Sequence, residues 1–294
     1  MRNILVVTGG AGFIGSNLIS ELIKFKKFKI ISIDNYSSGS FKNHIKNKKI
    51  RYLNGNTKNI EILLKNYINK IDTIFHFGEF ARIYQSFRKI NECFSSNIEG
   101  SSNIFNFSLK NKIRLIYSAT SASLGNKGED MNLSPYAFSK AKNLELLENL
   151  KKWFNFRYEV VYFYNVYGKK QICKGDMATV VGIFEDHFKR GKRLPVVRPG
   201  TQVRRFTNVY DTVKACIFAW KKNQCKHYSI ASKQSYSIIE LAKLFKSEIR
   251  YLPMREGERF ASALTKMNLN NKIIRLSAKI KLKDYVKNFL SNNH

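Results

Sequence analysis

Acidic residues are scarce in this chain: 21 Asp and Glu stand against 52 Lys and Arg over 294 residues, a formal net charge of +31. The deficit is regional. Residues 151–294 hold thirty basic and ten acidic side chains, a balance of +20, whereas residues 51–150 carry only +4. Such an excess points the second half towards an anionic partner, whether nucleic acid, a membrane surface or a phosphorylated small molecule. Lysine scattered over solvated faces would give the same total, and Lys, Asn, Ile and Phe are abundant throughout. Cysteine is sparse too. Cys93, Cys173, Cys216 and Cys225 make no CxxC pair, which argues against a disulfide framework and for a reducing, cytoplasmic home. Five histidines form no HxxxH or Cys/His cluster, so no metal is expected. No apolar run approaches the roughly 18 residues of a spanning helix. A strand opens at Ile4, which leaves no room for a secretory signal. No internal repeat is visible.

What is present is globular. Hydrophobic residues make up 44% and charged residues 25%, which excludes disordered and collagen-like chains. The length suits about two domains. Apolar runs at 3–8, 29–34, 72–77, 113–119 and 158–164 read as strands, alternating with helical periodicity at 13–26, 86–110 and 135–153. That alternation predicts an α/β fold, a doubly wound parallel sheet over residues 1–168. Ser134 is a candidate N-cap for the third helix, with Pro135 at its first position. Beyond Gly168 the pattern loosens around Gly and Pro, which predicts a smaller mixed unit at 169–294 carrying helices at 209–222 and 237–247. Residues 203–222 are expected to return to the first unit.

The first strand runs into Gly9-Gly10-Ala11-Gly12-Phe13-Ile14-Gly15 and then a helix. In that setting Gly9 allows the tight turn, Gly12 lets a pyrophosphate approach the backbone, and Gly15 lets the helix pack closely on the strand. Backbone N–H groups and the positive helix end would face the phosphates. Asp34 ends the second strand about twenty residues on, where a carboxylate accepts hydrogen bonds from a ribose and repels a 2′-phosphate. The combination predicts NAD rather than NADP. A kinase-type phosphate loop is excluded, because no Gly-Lys-Ser/Thr follows.

Tyr136 and Lys140 form a YxxxK pair, whose spacing sets phenol and ammonium on one helix face. A phenol is a weak base at neutral pH, and a nearby cation favours its phenolate. With the glycine turn, Asp34 and Thr120 at the end of the strand 113–119, the chain resembles the extended short-chain dehydrogenase/reductase superfamily, particularly nucleotide-sugar epimerases and dehydratases. The resemblance implies catalytic roles for Thr120, Tyr136 and Lys140, with Lys140 also holding the nicotinamide ribose. It implies cofactor contacts at Phe13, Ile14, Asn35, Asn56, Thr57, Phe77 and Gly78, and at Asn97 in the stretch Asn97-Ile98-Glu99-Gly100. It implies substrate contacts at Thr120, at Asn165 in Tyr164-Asn165-Val166-Tyr167-Gly168, and at Arg204 and Arg255, where arginine would grip a diphosphate. A homodimer built by pairing the helices near 91–110 and 136–153 into a four-helix bundle is implied as well. Ile98, Ile104, Phe105, Leu144 and Leu147 on those helices would serve equally as internal core.

Departures narrow the chemistry. Dehydratases of this type carry an Asp-Glu pair after the threonine, and this chain has Ser121 and Ala122, which cannot drive elimination near neutral pH. Decarboxylating and 3,5-epimerising relatives need Glu or Cys at Ala122, and are disfavoured too. Glu79 stands where a small residue is usual, Arg205 where many members carry Asp, and Asn56 where Asp is common. The expected function is an NAD-dependent nucleotide-sugar 4-epimerase, with transient oxidation at C4 to a ketose and return of hydride to the opposite face. A dehydrogenase that releases the keto-sugar would use the same residues. An RNA-binding protein on this fold would explain the charge, but no arginine-rich tract or RNA-binding motif is present, and nucleic acid is not expected as a partner.

Overall fold

The computed structural model describes residues 2–124, 132–254 and 273–293. Within them lies an eight-stranded sheet in which every neighbouring pair is parallel. In chain order its strands are β1 Ile4–Thr8, β2 Lys29–Asp34, β3 Ile50–Asn54, β4 Ile71–His76, β5 Arg114–Thr120, β6 Tyr158–Phe163, β7 His227–Ala231 and β8 Ile273–Ser277. Their spatial order is β8-β7-β6-β5-β4-β1-β2-β3. All five residues of β1 are buried, as expected of a strand covered by helices on both faces. The five apolar runs of residues 1–168 thus become strands of a doubly wound α/β sheet, which β3 and, from beyond residue 168, β7 and β8 complete.

Two apolar layers sandwich it. One packs Val6, Ile33, Ile74, Leu115 and Val160 against Ile104, Phe105 and Leu147 from the helices Ser101–Lys110 and Pro135–Phe154. The other packs Leu5, Val7, Phe75 and Val161 against Leu18, Ile19 and Leu22 of the helix Phe13–Leu22, and against Val213, Cys216 and Trp220 of the helix Val209–Lys222. Burying each large side chain contributes about 1.5–3 kcal/mol. Residues 209–222 therefore share a core with the first strands. Strands β7 and β8, whose sequence lies beyond Gly168, extend the same sheet. A separate cluster built on Phe184, Leu194, Val196, Phe245 and Leu282 joins the helices Val180–Lys189, Ile238–Leu244 and Leu282–Ser291 to the paired strands Leu194–Val197 and Ile249–Leu252. Ser237 and Glu240 close a reciprocal capping box at one of these helices.

The expected continuous helix over 86–110 is broken. It runs as Ile83–Arg88, Ile90–Phe94, a π-helical stretch Ser95–Gly100, and then Ser101–Lys110. Gly100 packs so tightly that a Cβ there would lie 2.3 Å from the Thr57 hydroxyl. The side chain of Asn97, wholly buried, faces the loop after β4. Widening the helix at this point sets both residues inward, an adjustment that apolar spacing does not reveal. Helix 135–153 matches Pro135–Phe154, and the Ser134 hydroxyl accepts the Ala137 N–H at 3.1 Å.

Candidate active site

Parallel pairing brings the carboxyl ends of β1, β4 and β5 to one edge, with Thr8 opposite both Ile33 and His76. Strand order reverses between β1 and β4, and the loops leaving that point open a crevice suited to a ligand. A cavity of about 640 Å³ occupies it. Asp34, Asn35, Asn56 and Thr57 line one part, Gly9, Gly12, Phe13, Ile14, Gly15, Phe77 and Gly78 another, and Thr120, Tyr136, Lys140, Asn165 and Arg204 the rest.

The glycine turn is shaped by contact rather than by composition. Gly9 has φ +69°, and a Cβ on it would sit 2.7 Å from the Phe77 carbonyl oxygen. A Cβ on Gly15 would come within 2.2 Å of the Gly9 oxygen, so any side chain would force the helix off the turn. No side chain caps the helix at Gly12 and no acidic residue occupies its first turn, which leaves its N–H groups and positive end to an anion. Asp34 braces this turn: Oδ2 accepts the Ala11 N–H at 2.9 Å and Oδ1 the Tyr36 N–H at 2.8 Å. Burial raises the Asp34 carboxyl, and these backbone bonds oppose the rise. A narrow backbone cradle, a bare helix start and a carboxylate at the end of β2 fit a dinucleotide.

At the other end Tyr136, 9% exposed, hydrogen-bonds Thr120. Burial pushes its phenol up to about 12; the bond to Thr120 works against that, and so does the positive charge of Arg82. Lys140 follows Tyr136 by about one turn on the helix Pro135–Phe154. Its Nζ pairs with Glu79 and also reaches the Ser118 carbonyl oxygen and the Tyr117 phenol, the latter at 3.3 Å. Glu79 Oε1 accepts the Ser101 hydroxyl at 2.9 Å, the Tyr117 hydroxyl at 3.0 Å and an Asn143 N–H at 3.3 Å. Ser101 in turn lies 2.9 Å from His76 Nε2, and His76 Nδ1 lies 2.8 Å from the Thr8 hydroxyl. Burial drives His76 down to about 4, so its ring is neutral. Since Ser101 donates to Glu79, it must accept from Nε2–H, and Nδ1 accepts from Thr8. A directed chain of hydrogen bonds therefore links the first strand, beside the glycine turn, to Lys140.

Asn97 is not at the cavity wall. Its amide clamps Phe80, accepting the N–H at 2.7 Å and donating to the carbonyl oxygen at 3.1 Å, and donates to Ser139 at 3.1 Å. The Asn56 side-chain oxygen accepts the Lys58 N–H at 3.0 Å and caps a short helical turn. Arg205 turns away to the carbonyl oxygens of Ser232 and Lys233. Arg255 lies outside the described residues. The cavity also takes in residues that spacing did not flag, among them Ser95, Ser96, Met177 and Arg82. A charged residue in the loop leaving a parallel strand at the reversal point was the available signal for Arg82. Among the described residues, no group of three His, Cys, Asp or Glu could hold a metal, and no helix is long and apolar enough to cross a membrane.

The chain is 30% identical over 259 residues to ADP-L-glycero-D-manno-heptose-6-epimerase of Brachyspira hyodysenteriae, covering 83% of this chain and 80% of the relative. It is 29% identical over 273 residues to a putative UDP-glucose 4-epimerase of Methanocaldococcus jannaschii, with 87% of each covered. The fold superposes on the crystal structure of UDP-glucose 4-epimerase from Thermotoga maritima with UDP-glucose, at TM-score 0.85 and 26% identity, covering 98% of this chain and 97% of the other. Residues 5–231 match the NAD dependent epimerase/dehydratase family, a span that runs from the first strand through the glycine turn and the Tyr136 helix to β7. This chain is therefore an NAD-dependent member of the epimerase/dehydratase family.

Proposed function

We propose that the protein inverts C4 of a nucleotide-diphosphate sugar, its NAD remaining bound through the cycle. The observation that carries this reading is the hydroxyl pair of Tyr136 and Thr120 at the cavity, with Ser121 and Ala122 following Thr120 along the same wall. Bound NAD would accept a hydride from the sugar carbon and give it back. Tyr136 acts as its phenolate, the form that the Thr120 hydrogen bond and the Arg82 charge favour against burial, taking the hydroxyl proton to become the phenol and then returning it, and Thr120 orients the reacting oxygen. Neither Ser121 nor Ala122 supplies the acid and base for loss of water, so the oxidised sugar keeps its carbon–oxygen bonds. The glycine turn and Asp34 would hold the cofactor, while Arg204 and Arg255 would anchor the substrate diphosphate through charged, forked donors. The four free cysteines support a reducing, cytoplasmic setting. Pairing of two chains through the helices near 91–110 and 136–153 rests on the family resemblance, since Ile104, Phe105 and Leu147 are fully buried within this chain's own core.

The test is a panel of UDP-, dTDP-, ADP- and GDP-sugars incubated without added NAD and followed by proton NMR. Inversion at C4 with no net reduced cofactor is expected. Stoichiometric keto-sugar and NADH would identify a dehydrogenase instead. Failure of every sugar, together with tight RNA binding, would end the enzyme reading.

A further inference from the structure

Lys140 is an amine taken almost wholly out of water, 4% exposed on a helix face it shares with Tyr136, Ser139 and Asn143. Burial penalises an ammonium, and buried lysines can lose the proton several pH units below their ordinary range. Its three N–H donors are all engaged inside the protein, by Glu79, Ser118 and Tyr117. Only one of these partners carries a charge. Glu79 arrives from 61 residues away, on the loop that leaves β4, and its side chain is 3% exposed. Three further donors, from Tyr117, Ser101 and Asn143, converge on its other oxygen and fix the carboxylate in place.

The remaining titratable groups around the amine are His76 on β4, Tyr117 on β5, Cys93 on the short helix Ile90–Phe94, and Tyr136 on its own helix. Burial holds His76 near 4 and pushes Cys93 to about 11, Tyr136 to about 12 and Tyr117 well up, so all four are neutral at pH 7. Burial likewise pulls the Lys140 amine down, and Glu79 opposes it. Among the described residues, Glu79 is the only carboxylate within ion-pair distance of Nζ. We propose that Glu79 is a positioning residue that keeps Lys140 protonated within the core, so that the lysine beside Tyr136 is a cation at neutral pH. A small residue at position 79 would leave the amine with only neutral partners.

The part of this inference that concerns turnover rests on the reading of Tyr136 and Lys140 as the reacting pair; the protonation state does not. The experiment measures acylation of Lys140 in the full chain by an amine-directed anhydride across pH, read by mass spectrometry of the tryptic peptide. In the unmodified protein the amine should titrate in the alkaline range. Glu79→Gln should move the midpoint down by about one pH unit or more, a roughly tenfold faster labelling at neutral pH. Glu79→Asp, which keeps the charge, should restore most of the shift, an outcome that a loss of shape alone would not produce. An unmoved midpoint in Glu79→Gln overturns the proposal, as does a Lys140 already neutral at pH 7 in the unmodified protein, a measurement that stands even if the variant does not fold. Labelling that behaves as expected in a protein that turns over no sugar would sink the proposed function and leave this inference intact.

Discussion

Arg82 donates from Nε to the main-chain oxygen of Met177 at 3.0 Å, and from Nη2 to the same atom. The two residues stand 95 apart in sequence and both line the cavity, so the loop after β4 is tied directly to the segment ahead of the helix Val180–Lys189. The tie spans the edge of the cleft. A guanidinium held this way also presents a fixed positive charge to Tyr136.

Removing that link should be felt in stability. Hydrogen bonds from a charged donor are each worth about 1.5–3 kcal/mol, so Arg82→Ala should lower the free energy of unfolding by roughly 2 kcal/mol or more. Urea denaturation measures it. A midpoint equal to that of the unmodified protein would show that the tie carries no load.

Tyr136→Phe removes one oxygen and leaves the glycine turn untouched. Turnover should fall by roughly 10²–10⁴-fold, the usual worth of general acid–base catalysis, while NAD stays bound. Thr120→Ala should act in the same direction and also raise the Tyr136 phenol further, since its hydrogen bond opposes the effect of burial. Single-turnover kinetics beside cofactor content would expose either expectation as wrong if activity persists.

Asp34→Ala should weaken NAD binding and relax discrimination against NADP. The carboxylate does two jobs here, bracing Ala11 and Tyr36 as well as facing the cavity, so the loss in NAD affinity should exceed any gain for NADP. Titration of both cofactors into protein stripped of nucleotide checks this; equal affinities in the unmodified protein would defeat the NAD assignment.

Acid should destabilise the fold through His76. Its proton affinity is depressed from 6.5 to about 4 in the folded chain, so between those values the unfolded chain binds more protons. Stability contributed by the neutral ring is present above pH 6.5 and is lost as pH falls towards 4, by on the order of 3 kcal/mol. Unfolding curves from pH 7 to 4.5 should show this slope, and His76→Gln should flatten it. A slope of equal size in that variant would assign the effect elsewhere.

No 4-keto-6-deoxy sugar should form from any nucleotide sugar, because Ser121 and Ala122 offer no acid or base. Its appearance in the product mixture, read by mass spectrometry as loss of water, would mean that another group performs the elimination.

How much of this was legible beforehand depends on distance along the chain. The glycine turn, Asp34 and the Tyr136 helix are local patterns whose geometry follows from spacing, and the structure sets their side chains at one cavity. The partners of Lys140 are not local. Glu79 stood out only as an unusual residue, and its pairing with Lys140 depends on β4 and β5 lying side by side, which no periodicity announces. Strand β3, with the charged and polar mixture Ile50-Arg51-Tyr52-Leu53-Asn54, occupies an edge of the sheet and buries none of its residues fully, so it lacked the apolar run that marked the others. Strands β7 and β8 were hidden for a different reason. Their short runs lie among the Gly- and Pro-punctuated stretch beyond Gly168, although a helix at 209–222 was legible just ahead of β7, and tertiary pairing makes them strands.

Among the described residues, strand β8 sits at the far margin of the sheet and pairs with β7 alone. During synthesis β7 must wait more than forty residues for that partner, its backbone N–H and C=O groups meanwhile open along one side. An open margin of this kind recruits any extended segment within reach, including the same segment of another copy. A cut or a premature stop just ahead of Ile273 would therefore do more than shorten the protein: it would convert β7 into a sticky border, and the truncated product should be recovered as aggregate rather than as a slightly smaller enzyme.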